Sequence, residues 1–198
     1  MAEAAERQQA ADANTNLWAT RARDSVRKHL PATLVAVGVF TYDAVHKTGA
    51  NGLLLEGCAQ GAPVPKHVDC RFPARPYWLS RGTDLDFLDV HIYQADGSLA
   101  ALDRNLQTEE WASVPLDVPV IMGEFGCNTN WGLNATTCVP HVRELQVSSC
   151  ARGFSGWLFW TYDTDEQSGG WVTMVDGGGA INRALSPRTN PDPCKAAA

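Results

Sequence analysis

Four near-continuous apolar runs separated by helix-forming stretches predict an α/β protein built on a parallel sheet. Two further observations narrow the class. The C-terminal ends of the runs, at Phe40, His91, Glu124 and Trp160, fall 51, 33 and 36 residues apart, against roughly 30 residues for one unit of a (β/α)8 barrel. No glycine-rich phosphate fingerprint follows any of the runs, and the triplet Gly177-Gly178-Gly179 follows no strand, which disfavours a doubly wound nucleotide-binding sheet. Four units make half a barrel, so one partial barrel domain over 1–198 is expected.

Each element has its own signal. Residues 2–30 are rich in Ala, Glu, Gln and Arg, and Trp18, Ala22, Val26 and Leu30 recur every four residues. That spacing predicts one long helix packing through this face. Pro31 ends it. TLVAVGVFTY (33–42) follows as a strand buried on both faces. Residues 43–80 carry scattered glycines and prolines and read as a long loop, stapled by Cys58 and Cys70, since loops of this length are usually functional or constrained. LDFLDVHIY (85–93) is the second strand, Ser98–Trp111 a helix, PVIMGEFG (119–126) the third strand, VPHVRELQVSSCA (139–151) a short helix and GWLFWTYD (156–163) the fourth strand. Residues 177–198 read as an irregular tail with one helical turn at Ala180–Leu185.

Composition excludes several function classes. The chain of 198 residues is 44% hydrophobic and 19% charged, with a net charge of -6 and no basic run, so nucleic acid and anionic membrane surfaces are poor partners. No apolar stretch approaches the roughly 20 residues of a membrane-spanning helix, and the polar N-terminus is not a signal peptide. Six cysteines without a CxxC or a zinc spacing, with the sequon Asn134-Ala135-Thr136, favour an exported, disulfide-bonded protein whose signal is not in this chain. Besides Cys58–Cys70, a pairing of Cys127 with Cys138 or with Cys150 is expected. Seven tryptophans supply aromatic surface of the kind that binds sugar rings.

The strand ends carry the chemistry. His91 and Tyr93 lie two apart and share a face. Glu124, directly after an apolar run, would be costly to bury without a partner, so it is paired or held for function. Trp160, Tyr162 and Asp163 close the fourth strand. His29, His46, His67 and His141 are scattered, and Glu109 and Glu110 read as a solvated helix face. Asp163 and Asp165 read as a solvated rim. Trp131 and Trp78 stand on loops where a second sugar platform would fit, whereas Trp18, Trp111 and Trp157 read as structural.

In this order and spacing, DFLDVHIYQ, PVIMGEFG and GWLFWTYDT resemble the second half of glycoside hydrolase family five, the cellulase family. The resemblance covers roughly residues 1–176 and implies strands five to eight of a (β/α)8 TIM barrel. It implies a retaining glycosidase acting on a β-linked polysaccharide or oligosaccharide such as cellulose or another β-glucan. Mannan-, β-1,3-glucan- and glycolipid-cleaving relatives are the alternatives within the class. Glu124 then corresponds to the nucleophile, Tyr93 to the tyrosine that hydrogen-bonds it, His91 to the histidine near the acid/base, and Trp160 to the sugar platform. No metal or organic cofactor is implied. The family's acid/base sits in an Asn-Glu pair, and this chain contains none. The expectations are therefore an inactive isolated chain and, through exposed half-barrel edges, self-association. The rival reading is a non-catalytic carbohydrate-binding or interaction fragment.

Overall fold

The computed structural model describes residues 2–40, 75–93, 102, 118–162 and 169–196. The expected α/β class is observed. The elements are α1 (Ala2–His29), β1 (Ala36–Phe40), α2 (Pro76–Gly82), β2 (Phe87–Ile92), β3 (Val120–Phe125), a 3-10 turn (Thr129–Trp131), α3 (Ala135–Ala151), β4 (Gly156–Phe159), α4 (Asp176–Leu185) and α5 (Pro193–Ala196). The four strands pair in the order β1-β2-β3-β4 and every pairing is parallel. This sheet is compatible with half a barrel. Most of the loop expected at 43–80, the helix at 98–111 apart from Leu102, and Cys58, Cys70, His46, His67, Trp111, Glu109, Glu110, Asp163 and Asp165 lie outside the described residues.

One face of the sheet makes the core. Leu88, Val90 and Ile92 of β2 and Val120, Met122 and Phe125 of β3 pack with Val142 and Leu145 of α3 and Ile181 and Leu185 of α4. Burial of such side chains is the main stabilising term, about 1.5–3 kcal/mol for each. The expectation that the strands are buried on both faces is corrected. On the opposite face Phe40 is 46% and Leu158 60% exposed. Among the described residues the helices cover only one side, and the apolar run encodes a covered face without saying which element covers it.

Helix α1 forms where expected, but its packing face differs. Trp18, Val26 and Leu30 are exposed, while Gln8, Asp12 and Ala19 are buried. The docking side is polar. Arg75, at the start of α2, pairs with the buried Asp12. Asn16 Nδ2 donates to the Trp78 carbonyl at 3.2 Å. Arg23 meets Asp84 at 2.7 Å and Arg27 meets Asp86 at 2.5 Å. Asp86 also accepts from the Val35 amide, and this bond, with Arg27, lowers its pKa. Charge complementarity, which hydrophobic periodicity does not register, chose the face. Helix α2 was unforeseen within a stretch read as irregular; Pro76 suits its first turn because a missing N–H costs nothing there.

Helix α3 begins four residues before the expected start. Asn134 is its N-cap and accepts from the Thr136 and Thr137 amides, while the Thr137 hydroxyl accepts from the Asn134 amide. This reciprocal cap fixes where the helix starts, and the helix continues through Pro140. The helical turn expected at Ala180–Leu185 is present in α4, and the short helix α5 follows it. Gly177, Gly178 and Gly179 take positive φ and lead into the turns that bury Ile181, Ala184 and Leu185. Cys127 bonds Cys138, the first of the two expected pairings, and Cys150 bonds Cys194. Among the described residues no helix is long and apolar enough to cross a membrane.

Candidate active site

Parallel strands bring their C-terminal ends to one edge of the sheet. Phe40 of β1 stands in register with His91 of β2, and His91 with Glu124 of β3. Strict alternation would not deliver this row. Val120 and Met122 face the core, so Glu124 ought to follow them. A β-bulge intervenes. Between Asp89 and His91 lies one residue of β2, but between their partners Ile121 and Glu124 lie two of β3. The same extra residue recurs against β4, where Met122 and Phe125 pair with Trp157 and Phe159. The bulge re-aims Glu124 to the open face and lets Phe125 return to the core.

On that face His91 Nδ1 lies 2.7 Å from Glu124 Oε2, and His91 Nε2 lies 3.5 Å from Asp89 Oδ1. The Glu124 side chain is only 16% exposed and that of His91 19%. Neither contact is a straight hydrogen bond, since Nδ1 and Asp89 Oδ1 have no aligned partner among the described residues. They are contacts of charge and close approach. Burial disfavours the imidazolium, but Asp89 and Glu124 together outweigh it and lift the His91 pKa from 6.5 to about 9. Tyr93 lies on the same face. Burial first, and then the Glu124 charge, push its phenol pKa up, so it stays protonated.

Aromatic rings border the pair. Phe40 meets His91 edge-on at 5.0 Å and Tyr93 at 6.2 Å, and Trp171 meets Tyr93 at 5.3 Å. Trp160 is half-buried just beyond β4, its amide donating to the Phe125 carbonyl at 2.8 Å. A Cβ at Gly126 would lie 2.0 Å from the Trp160 carbonyl and 3.5 Å from the Trp171 ring, so Trp160 and Trp171 both approach this one glycine. Trp131 is 45% exposed on the 3-10 turn after β3, with no ring contact to Tyr93 or His91 among the described residues.

Four of the five sequence-derived site residues, His91, Tyr93, Glu124 and Trp160, therefore lie at the C-terminal end of the sheet, and Trp131 stands on the 3-10 turn that follows β3 there. Sequence reasoning missed Asp89 and Trp171. Asp89 had a signal, being two residues before His91 on the same strand face. Trp171 had none, because an isolated antiparallel bridge to Asn128 positions it. The other two described histidines are apart from the site: His29 ends α1 in solvent and His141 is buried in α3. Trp157 packs against the core, as expected. Trp78 is 45% exposed with the Arg75 guanidinium 5.2 Å over its ring. No family model, curated protein or solved structure matches this chain.

Proposed function

We propose that these residues form the nucleophile half of a retaining β-glycosidase acting on a β-linked polysaccharide or oligosaccharide of the glucan class, in an exported protein. The observation that carries this reading is the bulge-directed carboxylate of Glu124, held beside His91 and Tyr93 at the C-terminal ends of parallel strands, with the Phe40 ring against His91, the Trp171 ring against Tyr93 and Trp160 just beyond the end of β4. Barrel enzymes work at that end of their strands. Aromatic faces suit the apolar C–H surface of a sugar ring.

In this reading Glu124 attacks the anomeric carbon as the glycosidic bond breaks, and a second carboxyl group protonates the departing oxygen. Water then cleaves the glycosyl ester, with the second group acting as base. Trp160 is the platform for the sugar beside the cleaved bond, and Trp131 an outer platform. The absence of an Asn-Glu pair favours a second reading, a non-catalytic carbohydrate-binding fragment.

The two readings separate in one experiment. A 2-deoxy-2-fluoro-β-glucoside with a dinitrophenolate leaving group needs no general acid for the first step. The expected result is a covalent adduct on the peptide containing Glu124, lost in Glu124→Gln, with negligible turnover of carboxymethyl-cellulose. General acid catalysis is worth about 10²–10⁴-fold, so poor leaving groups suffer most. Saccharide binding without any adduct would support the second reading, and an adduct on another carboxylate would displace Glu124.

A further inference from the structure

We propose that Asp89 is a positioning residue of this site: its carboxylate and that of Glu124 bracket the His91 ring, one at each nitrogen, and Gly38 and Gly123 hold the space that the bracket needs. The consequence for catalysis rests on Glu124 being the nucleophile, but the bracket itself does not.

The geometry supports each part. Asp89 lies two residues before His91, and the period-two alternation of β2 puts both side chains on the open face. Asp89 reaches Nε2 at 3.5 Å while Glu124 holds Nδ1 at 2.7 Å. Neighbouring strands leave room only because they carry glycine. A Cβ at Gly123 would fall 1.6 Å from Asp89 Oδ1, and one at Gly38 would fall 2.9 Å from His91 Nε2. Ordinary side chains at these two points would displace the bracket. Gly123 is also one of the two residues of the bulge that turns Glu124 outward. One local irregularity therefore serves both carboxylates.

Two carboxylates on one imidazole favour its doubly protonated form. Among the described residues the charged or titratable groups facing the ring are Asp89 on its own strand, Glu124 on β3 and Tyr93 beyond it; β1 offers only Phe40 and Gly38. The phenol is neutral throughout the working range, so the bracket sets the charge. A ring held protonated by Asp89 keeps a positive partner 2.7 Å from Glu124 at neutral pH. Without Asp89 the ring would lose its proton at lower pH, and Glu124 its counter-charge with it.

The test is nuclear magnetic resonance titration of the imidazole nitrogens in the full chain labelled with ¹⁵N-histidine. His91 in the unaltered protein is expected to titrate near pH 9, and the assignment follows from loss of the signal in His91→Gln. Asp89→Asn should move the midpoint toward acid by about one unit or more, the effect of removing a nearby opposite charge. Asp89→Glu should restore part of the shift, which a merely structural role would not. Should Asp89→Asn fail to fold, Asp89→Ser removes the same carboxylate with a smaller side chain and should move the midpoint in the same direction. An unmoved midpoint in Asp89→Asn, or in Asp89→Ser where that variant is the one that folds, would overturn the proposal. These readouts need no substrate, so they stand or fall separately from the labelling of Glu124.

Discussion

His91 and His141 show how one side chain takes opposite characters in two environments of one small protein. His91 has a carboxylate at each nitrogen and a raised pKa; His141 is buried in α3 with Nε2 lacking a partner among the described residues, and burial lowers its pKa to about 4. The linkage signs are opposite. The raised His91 contributes stability fully below pH 6.5, and that contribution is lost as pH rises through about 9. The depressed His141 contributes above pH 6.5 and its contribution is lost as pH falls toward about 4. Urea midpoints measured from pH 4 to pH 7 should therefore fall on the acid side, and the fall should be shallower in His141→Phe. An unchanged acid slope in that variant would show that His141 does not carry it.

At the scale of elements, α3 and the β3 bulge do most to place the site. Helix α3 follows the strand that bears Glu124 and is tied to it by Cys127–Cys138. The Asn134 cap fixes where the helix starts, and the same asparagine heads the sequon. Asn134→Ala should cost about 1 kcal/mol, the usual worth of such a cap, read as a lower urea midpoint with unchanged slope. Asn134→Asp keeps the cap and removes the sequon, so it should cost far less. Equal losses in the two variants would show that the cap is not the source. The bulge was not legible in PVIMGEFG, since a run of this kind fixes neither register nor face. Its signal is indirect: a glycine beside a carboxylate at the end of an apolar strand.

For the molecule as a whole, the sheet carries two unpaired edges among the described residues, on β1 and β4. Leu34, Phe40 and Leu158 are exposed beside them, and Leu17, Trp18, Val26 and Leu30 are exposed on and just beyond α1. Parallel strands with one uncovered face recruit further chain to cover it. Sedimentation velocity over micromolar concentrations should show concentration-dependent association, weakened by Leu158→Lys. A monomer at every concentration would mean that the edges are covered within the chain. The disulfides act at this scale too. Closing 11 residues stabilises by about 3 kcal/mol on the chain-entropy model and closing 44 by about 4 kcal/mol, so Cys150–Cys194 fastens the C-terminal segment to α3.

The sequence by itself determined the parallel α/β class, the four strands to within a few residues and the strand-end residues Phe40, His91, Glu124 and Trp160. Those are local properties, written in hydrophobic runs and in the polar residues that interrupt them. Tertiary structure alone decided which way Glu124 points, because a bulge is a relation between two strands and appears in neither. It also decided that α1 docks through Asp12, Arg23 and Arg27 rather than through Trp18, and that Trp171 reaches Tyr93 from far along the chain. Salt bridges and ring contacts between distant segments leave no periodic trace. The pairing of charge across the sheet, His91 with Glu124, exists only once the strands are in register, and with it the charge state of the site.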